Sequence, residues 1–303
     1  MSGRWFKALR WVFVAVVVVL FARAAARNWS DLRDVDLHVR PLWLVLAAPF
    51  TFAGGWLLPV AWARLLRAYG AVLRAMEAVR IWSLAATSRY IPSGLAAVAS
   101  RVVLASREDV PRALAAASTV VELVIIVGWG AVFAGAFLPT WPDWVRVLVA
   151  GGAAVGLIAL PVVLHIGGRL LSRFPALDPS RLDERVLFES IGLYLANAIV
   201  KGIGFVLFAA ALLPGVRAGD ALLLVGAVNA AAILGMVGVT PAGLGVREAF
   251  ITVFLRDRFG FADAAAIAAA LRVWDLVFEV TWLAIVGARA RRARRQPAMP
   301  LTG

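Results

Sequence analysis

The sequence predicts an all-α integral membrane protein with about six transmembrane helices and two re-entrant helical hairpins, arranged as an inverted-topology repeat. Three observations carry this: a composition too apolar for water, apolar runs of spanning length, and an uneven spread of basic residues among the connections. Of 303 residues, 62% are apolar and 16% charged, and mean hydropathy is +0.87. Soluble domains hold roughly 45–50% apolar and about 25% charged residues, so the charges here are too few to coat a water-facing surface.

The first run, Trp11–Phe21, follows Arg4, Lys7 and Arg10 and precedes Arg23 and Arg27. A basic start and the small residues Ala24 and Ala26 also describe a signal peptide. The arginines that follow, and the need to complete the repeat, favour a retained first helix. Five longer runs come next: Leu42–Ala63, Ala113–Phe137, Val145–His165, Leu187–Leu213 and Ala264–Gly287. Each approaches the roughly 20 residues that cross a hydrocarbon core. Two further stretches are broken, Ala78–Ala105 at Ile91-Pro92-Ser93-Gly94 and Ala221–Leu255 at Thr240-Pro241-Ala242-Gly243. Proline lacks the helical donor and clashes with the preceding turn. Glycine two residues on permits a tight bend. Each break therefore ends one half-helix and begins another.

Lys and Arg cluster at the amino end and in segments 64–80, 107–112, 169–185 and 289–295, and are sparser in the other connections. The positive-inside bias puts those clusters, and both termini, in the cytoplasm. Each broken stretch then enters and leaves on one side, the first cytoplasmic and the second external. Re-entrant loops of this kind are tolerated only where protein or water covers them. Pro92 and Pro241 lie 149 residues apart, and the same shift carries Leu42–Ala63 into Leu187–Leu213 and Ala113–Phe137 onto Ala264–Gly287. Residues 10–138 and 144–288 thus form two oppositely oriented repeats of one transmembrane domain spanning 1–303. The loop Leu171–Arg185 is a surface connector, and the basic tail 289–303 lies against anionic lipid. The expected location is the cell inner membrane.

Several chemistries are excluded. Without cysteine there is no disulfide or thiolate site. His38 and His165 are not in metal-ligand spacing. Neither a Gly-x-x-x-x-Gly-Lys phosphate loop nor a Gly-x-Ser-x-Gly elbow nor a His-Glu-x-x-His helix occurs. No enzyme activity, cofactor or metal is expected. The net charge of +13 reads as topology and headgroup contact rather than nucleic-acid binding.

Ionisable residues inside apolar runs are costly and mark sites. Arg89 and Arg101 flank the first break, and Arg247 and Glu248 follow the second. Glu122 and Lys201 lie in intact runs. Arg272, Asp275 and Glu279 share one face of the last, by i,i+3 and i,i+4 spacing. Each half-helix that begins after Pro92-x-Gly94 or Pro241-x-Gly243 presents unpaired amides with partial positive charge, a seat for phosphate or carboxylate. Two such termini meeting from opposite faces would hold one anionic group, with Arg101 and Arg247 adding charge-assisted bonds. The carboxylates Glu122, Glu248, Asp275 and Glu279 would balance the field of the empty site. Arg89 and Lys201 read instead as side chains that snorkel to an interface. Asn229 reads as a structural hydrogen-bonder, Trp5, Trp11, Trp29, Trp141 and Trp144 as interfacial anchors, and Gly152 with Gly156 as a close-packing stripe.

Thr240-Pro241-Ala242-Gly243-Leu244-Gly245-Val246-Arg247-Glu248 resembles the Pro-Gly-Gly-x-Gly-x-Arg-Glu signature of the transmembrane region of lysylphosphatidylglycerol synthase, the flippase-like domain of a large bacterial and archaeal family. Arg89-Tyr90-Ile91-Pro92-Ser93-Gly94 looks like its first-half counterpart, and Glu122 falls where the family often carries a Glu-Arg pair. Ser93 and Ala242 depart from the pattern, and Ala96–Ala99 replaces the acidic residue that often follows the first motif. The resemblance covers nearly the whole chain and implies translocation of a lipid, without the separate cytoplasmic domain that makes the aminoacyl lipid.

The expected function is therefore a lipid flippase or scramblase, with an anionic headgroup held by Pro92, Gly94, Arg101, Glu122, Pro241, Gly243, Gly245, Arg247, Glu248, Arg272, Asp275 and Glu279. The expected partners are membrane lipids. Three alternatives stand: transport of polyprenyl phosphate or a water-soluble anion, a non-transporting partner of a lipid- or glycan-modifying enzyme, and an intrinsic membrane transferase. Homo-oligomerisation is left open.

Overall fold

The computed structural model describes residues 38–88, 96–170, 177–237 and 243–295, with side chains up to residue 288 except at 237. The first run, Arg89, Pro92, Gly94 and Pro241 lie outside the described residues. Every regular element among them is helical: α1 (Pro41–Ala68), α2 (Ala75–Thr87), α3 (Ala96–Ala105), α4 (Arg112–Phe137), α5 (Asp143–Ile158), α6 (Leu160–Leu170), α7 (Glu184–Leu212), α8 (Ala221–Val237), α9 (Val246–Phe259) and α10 (Phe261–Arg295).

The centre of the fold is α1 against α7, its most extensive helix pair. The two run antiparallel. Arg40 N–H donates to Ala211 O at one end (2.8 Å), and Asp183 N–H donates to Ala68 O at the other (2.8 Å). Between them Ser190 Oγ donates to Ala61 O (2.8 Å). At 28 and 29 residues and 1.5 Å per residue, each is about 42 Å long, more than the roughly 30 Å hydrocarbon core. Between lipid-solvated helices association rests on close packing rather than on the hydrophobic effect. Gly204 supplies it here, since a Cβ there would lie 3.1 Å from Phe50 Cβ.

Each of these helices leads into a hairpin. The chain turns from α1 into α2, and α2 and α3 pack against one another. Arg80 reaches Glu108 at the open end (3.4 Å), and Ser88 Oγ meets Ser100 Oγ near the tip (2.7 Å). The chain turns from α7 into α8, and α8 packs on α9. Arg258 clamps Asp220 through Nε and Nη2 at the open end (2.7 and 3.0 Å). Near the tip, Gly235 lies against Arg247 and Gly243. Gly243 has φ +69°, and a Cβ there would meet Gly235 O at 2.9 Å, so only glycine fits. Because α1 and α7 are antiparallel, their carboxyl ends lie at opposite ends of the molecule, and the hairpins open from those opposite ends. Three of the arms, of 13, 10 and 14 residues, are about 15 to 21 Å long, each too short to cross alone.

Contacts recur in matched pairs. α1–α2, α2–α3, α3–α4 and α1–α4 have the counterparts α7–α8, α8–α9, α9–α10 and α7–α10; α4–α7 matches α10–α1, and α4–α8 matches α10–α2.

Among the described residues four helical segments are long and apolar enough to cross a membrane, or five when a bent pair counts as one span. They are α1, α4, α7 and, unlike the sequence-based expectation, Ala218–Met236, which is the first arm of the second hairpin with its entry turn. The expected span Val145–His165 is the bent pair: α5 and α6 meet at 58°. Pro161, with no N–H to give, sits at the second position of α6, where a helix start tolerates it. The expected last span, Ala264–Gly287, lies inside α10, whose 35 residues include Arg272, Asp275 and Glu279.

The glycine stripe is corrected. A Cβ at Gly151, Gly152 or Gly156 meets nothing within 4 Å among the described residues. The close approach of α4 and α5 comes from α4 instead: a Cβ on Gly128 would lie 2.8 Å from Leu157 Cδ2, and one on Gly135 would lie 2.7 Å from Ala150 N. Outside the spans, Asp178 accepts from the Ser180 N–H (2.9 Å), which holds its carboxyl below the ordinary range and caps the turn Pro179–Arg181.

Candidate functional site

A cavity of about 360 Å³ lies between the two hairpins. α2 contributes Trp82, Ser83 and Ala86; α8 contributes Val228, Asn229, Ala232, Ile233 and Met236; α9 contributes Arg247; and α1, α4, α7 and α10 close the remaining walls. Lys201, Arg247, Arg272, Asp275 and Glu279 all line it, three cations against two carboxylates.

Arg272, Asp275 and Glu279 reach it together because they share one face of α10. Arg247 stands in the first turn of α9 and pairs with Asp275. Lys201 enters from α7, within electrostatic range of Arg247 and Asp275. Neither Lys201 nor Arg272 has an ion-pair partner among the described residues. Nε and Nη2 of Arg272, and Nε of Arg247, are buried with no hydrogen bond. The snorkelling expected of Lys201 does not occur, because the α1–α7 contact turns it inward.

Aromatic rings line the same cavity. Phe52 and Phe278 meet edge to face at 4.6 Å, and Trp274 with Phe278 (4.5 Å) and Phe208 with Trp274 (5.4 Å) are tilted pairs. Polar tips are tied off, Trp274 Nε1 donating to Thr51 Oγ1 (2.9 Å) and Trp282 Nε1 to Ser83 Oγ (2.9 Å). Gly55 lets Trp282 lie against α1, a Cβ there coming within 3.2 Å of the indole. Asn229 lines the cavity yet donates to Val225 O (2.9 Å) and Ala198 O (3.3 Å), the structural role expected of it.

Other site residues proposed from the sequence lie elsewhere. Arg101 and Glu122 do not line the cavity. They pair with each other, buried, where α3 meets α4. Trp82 Nε1 donates to Glu122 (3.1 Å), and Arg101 lies 5.2 and 5.6 Å from the rings of Trp62 and Trp82, a cation–π seat. Glu248 turns back on its own helix and accepts from the Gly245 N–H (2.7 Å). One amide of the α9 terminus is therefore taken by the chain itself, through the Glu half of a capping box alone, since Gly245 has no side chain to return the bond. Gly245, at φ +80°, makes the turn into α9 and does not line the cavity. Gly243 serves the hairpin tip. Among the described residues no group of three His, Asp or Glu side chains could hold a metal ion.

No family model, curated protein or solved structure matches this chain.

Proposed function

We propose that this protein moves an anionic lipid between bilayer leaflets, holding its headgroup in the cavity between the hairpins. The observation that carries this is the pair Lys201 and Arg272, two cations lining the cavity with no salt bridge to either among the described residues, and with two buried nitrogens of Arg272 lacking a hydrogen bond. A buried cation without a partner is expensive. An arriving phosphate removes that cost and accepts charge-assisted bonds of about 1.5–3 kcal/mol each. Arg247, restrained by Asp275, stands beside them as a third donor. The wall of Phe52, Phe208, Trp274 and Phe278 favours an amphiphile over a water-soluble anion; polyprenyl phosphate shares this chemistry.

In this reading six spans cross the cell inner membrane with both termini in the cytoplasm, and the hairpins re-enter from opposite leaflets. The antiparallel α1–α7 axis and the matched contacts support an inverted repeat, and with it membership of the flippase-like family. Rocking of one half against the other would expose the cavity to each leaflet in turn.

The test is reconstitution in liposomes with fluorescent phosphatidylglycerol and measurement of its accessibility to an external quencher. The wild type equilibrates the label between leaflets; Lys201→Ala with Arg272→Ala does not. Equal rates for both would remove the proposed site. Absence of flux in the wild type, together with a co-purifying lipid- or glycan-modifying enzyme, would identify a docking partner instead.

A further inference from the structure

The matched contacts differ most in one place. Where α8 meets α4 the helices close on each other: a Cβ on Gly130 would lie 2.7 Å from Ile233 Cδ1, and one on Gly226 would lie 3.0 Å from Phe137 Cβ. The counterpart, α2 against α10, holds through the bond from Trp282 Nε1 to Ser83 Oγ. Beside that bond an apolar groove of about 290 Å³ opens, lined by Trp56, Met76, Val79 and Ile285 together with Phe52 and Trp282. Phe52 and Trp282 also line the charged cavity. One wall therefore has the cations on one side and a groove without charge on the other. Met76 and Ile285, at the groove, are exposed on the outside of the fold.

We infer that this groove seats one hydrocarbon chain of the lipid whose headgroup occupies the cavity, and that the lipid lies across Phe52 and Trp282 in a fixed pose. The inference rests on the proposed function. It commits to a lipid tail because the groove shares Phe52 and Trp282 with the cation-lined cavity and has no charged side chain among its lining residues. A headgroup among Lys201, Arg247 and Arg272 has its apolar end directed over the two shared rings. Buried tail methylenes then add affinity that the headgroup alone lacks.

The experiment measures binding of dioleoyl phosphatidylglycerol and of glycerol phosphate to the full chain in detergent. The variants are Met76→Trp with Ile285→Trp, which fill the groove from exposed positions, and Lys201→Ala with Arg272→Ala. Val147→Trp, on the exposed face of α5, controls for an added tryptophan. The expected result is lipid binding weakened about tenfold by the groove variant, equivalent to losing roughly two buried methylenes, with glycerol phosphate binding unchanged. The tail seat is overturned if the groove variant binds lipid like the wild type, if it weakens both ligands equally, or if the wild type binds both ligands equally well. If the alanine pair leaves lipid binding unchanged, the headgroup reading fails and the tail seat falls with it.

Discussion

Arg101 with Glu122 in the first half, and Arg247 with Asp275 in the second, join the same two elements: the second arm of a hairpin and the helix that follows it. Their surroundings differ. Arg101 and Glu122 are 8% and 4% exposed, covered by Trp62 and Trp82, and do not themselves line the cavity. The Arg247 and Asp275 side chains are 15% and 32% exposed and face the cavity, beside two cations that lack partners. The first pair is matched in charge and dry, so it locks. The second faces a cavity that, among the described residues, holds three cations and two carboxylates, so in the proposed reading it is left to receive an anion. One pairing, used twice, differs in what it faces.

Breaking the dry pair has the largest expected effect. Glu122→Ala strands Arg101 in a buried site and should cost about 3–5 kcal/mol, seen as a large fall in thermal unfolding temperature in detergent. Adding Arg101→Met should recover part of the loss, because the orphaned charge is then gone. A Glu122→Ala protein that unfolds at the wild-type temperature would put the lock elsewhere.

Removing the spare cations should do the reverse. Lys201→Ala with Arg272→Ala is expected to weaken phosphatidylglycerol binding by about a hundredfold, from two lost charge-assisted bonds. The unfolding temperature without lipid should stay level or rise, since the variant no longer buries unpaired charge. Lost binding accompanied by lost stability would make these side chains structural.

Asp275→Asn sharpens the contrast further. It should cost less than Glu122→Ala, about 1–2 kcal/mol, because the wetter site screens the released Arg247. Phosphatidylglycerol binding should tighten as one negative charge leaves the cavity. An effect of similar size is expected at the hairpin tip. Gly245→Ala, with nothing within 4 Å of its Cβ among the described residues but φ +80°, should cost about 1–2 kcal/mol. Gly243→Ala should cost more, because it adds a 2.9 Å clash with Gly235 O to the same strain.

Much of this arrangement was legible in the sequence. The apolar runs located α1, α4 and α7 within a few residues, and the Pro-x-Gly breaks separated α2 from α3 and α8 from α9. The spacing of Arg272, Asp275 and Glu279 placed three cavity residues on one face. Gly245 with Glu248 three residues later carried a helix-start signal, which accounts for Glu248 better than a ligand does. Val145–His165 reads as one straight span in the sequence, although Pro161 lies at the 58° bend between α5 and α6. Lys201 was misread because α7 is apolar on every side, so periodicity does not say which face turns inward; packing on α1 decides it. The glycine stripe misled for a related reason. Small residues permit close approach without specifying a neighbour, and here α4 supplies the glycines that α5 packs on. The burial of Arg101 and Glu122 away from the cavity was not readable either, since it depends on how α1 and α2 fold Trp62 and Trp82 over the pair.

The most direct test is an experimental density map of the protein purified with phosphatidylglycerol. It should show the lipid phosphate within hydrogen-bond distance of Arg272 and Lys201, between the two hairpins. An empty cavity at saturating lipid, or a phosphate bound at Arg101 and Glu122 instead, would contradict the account.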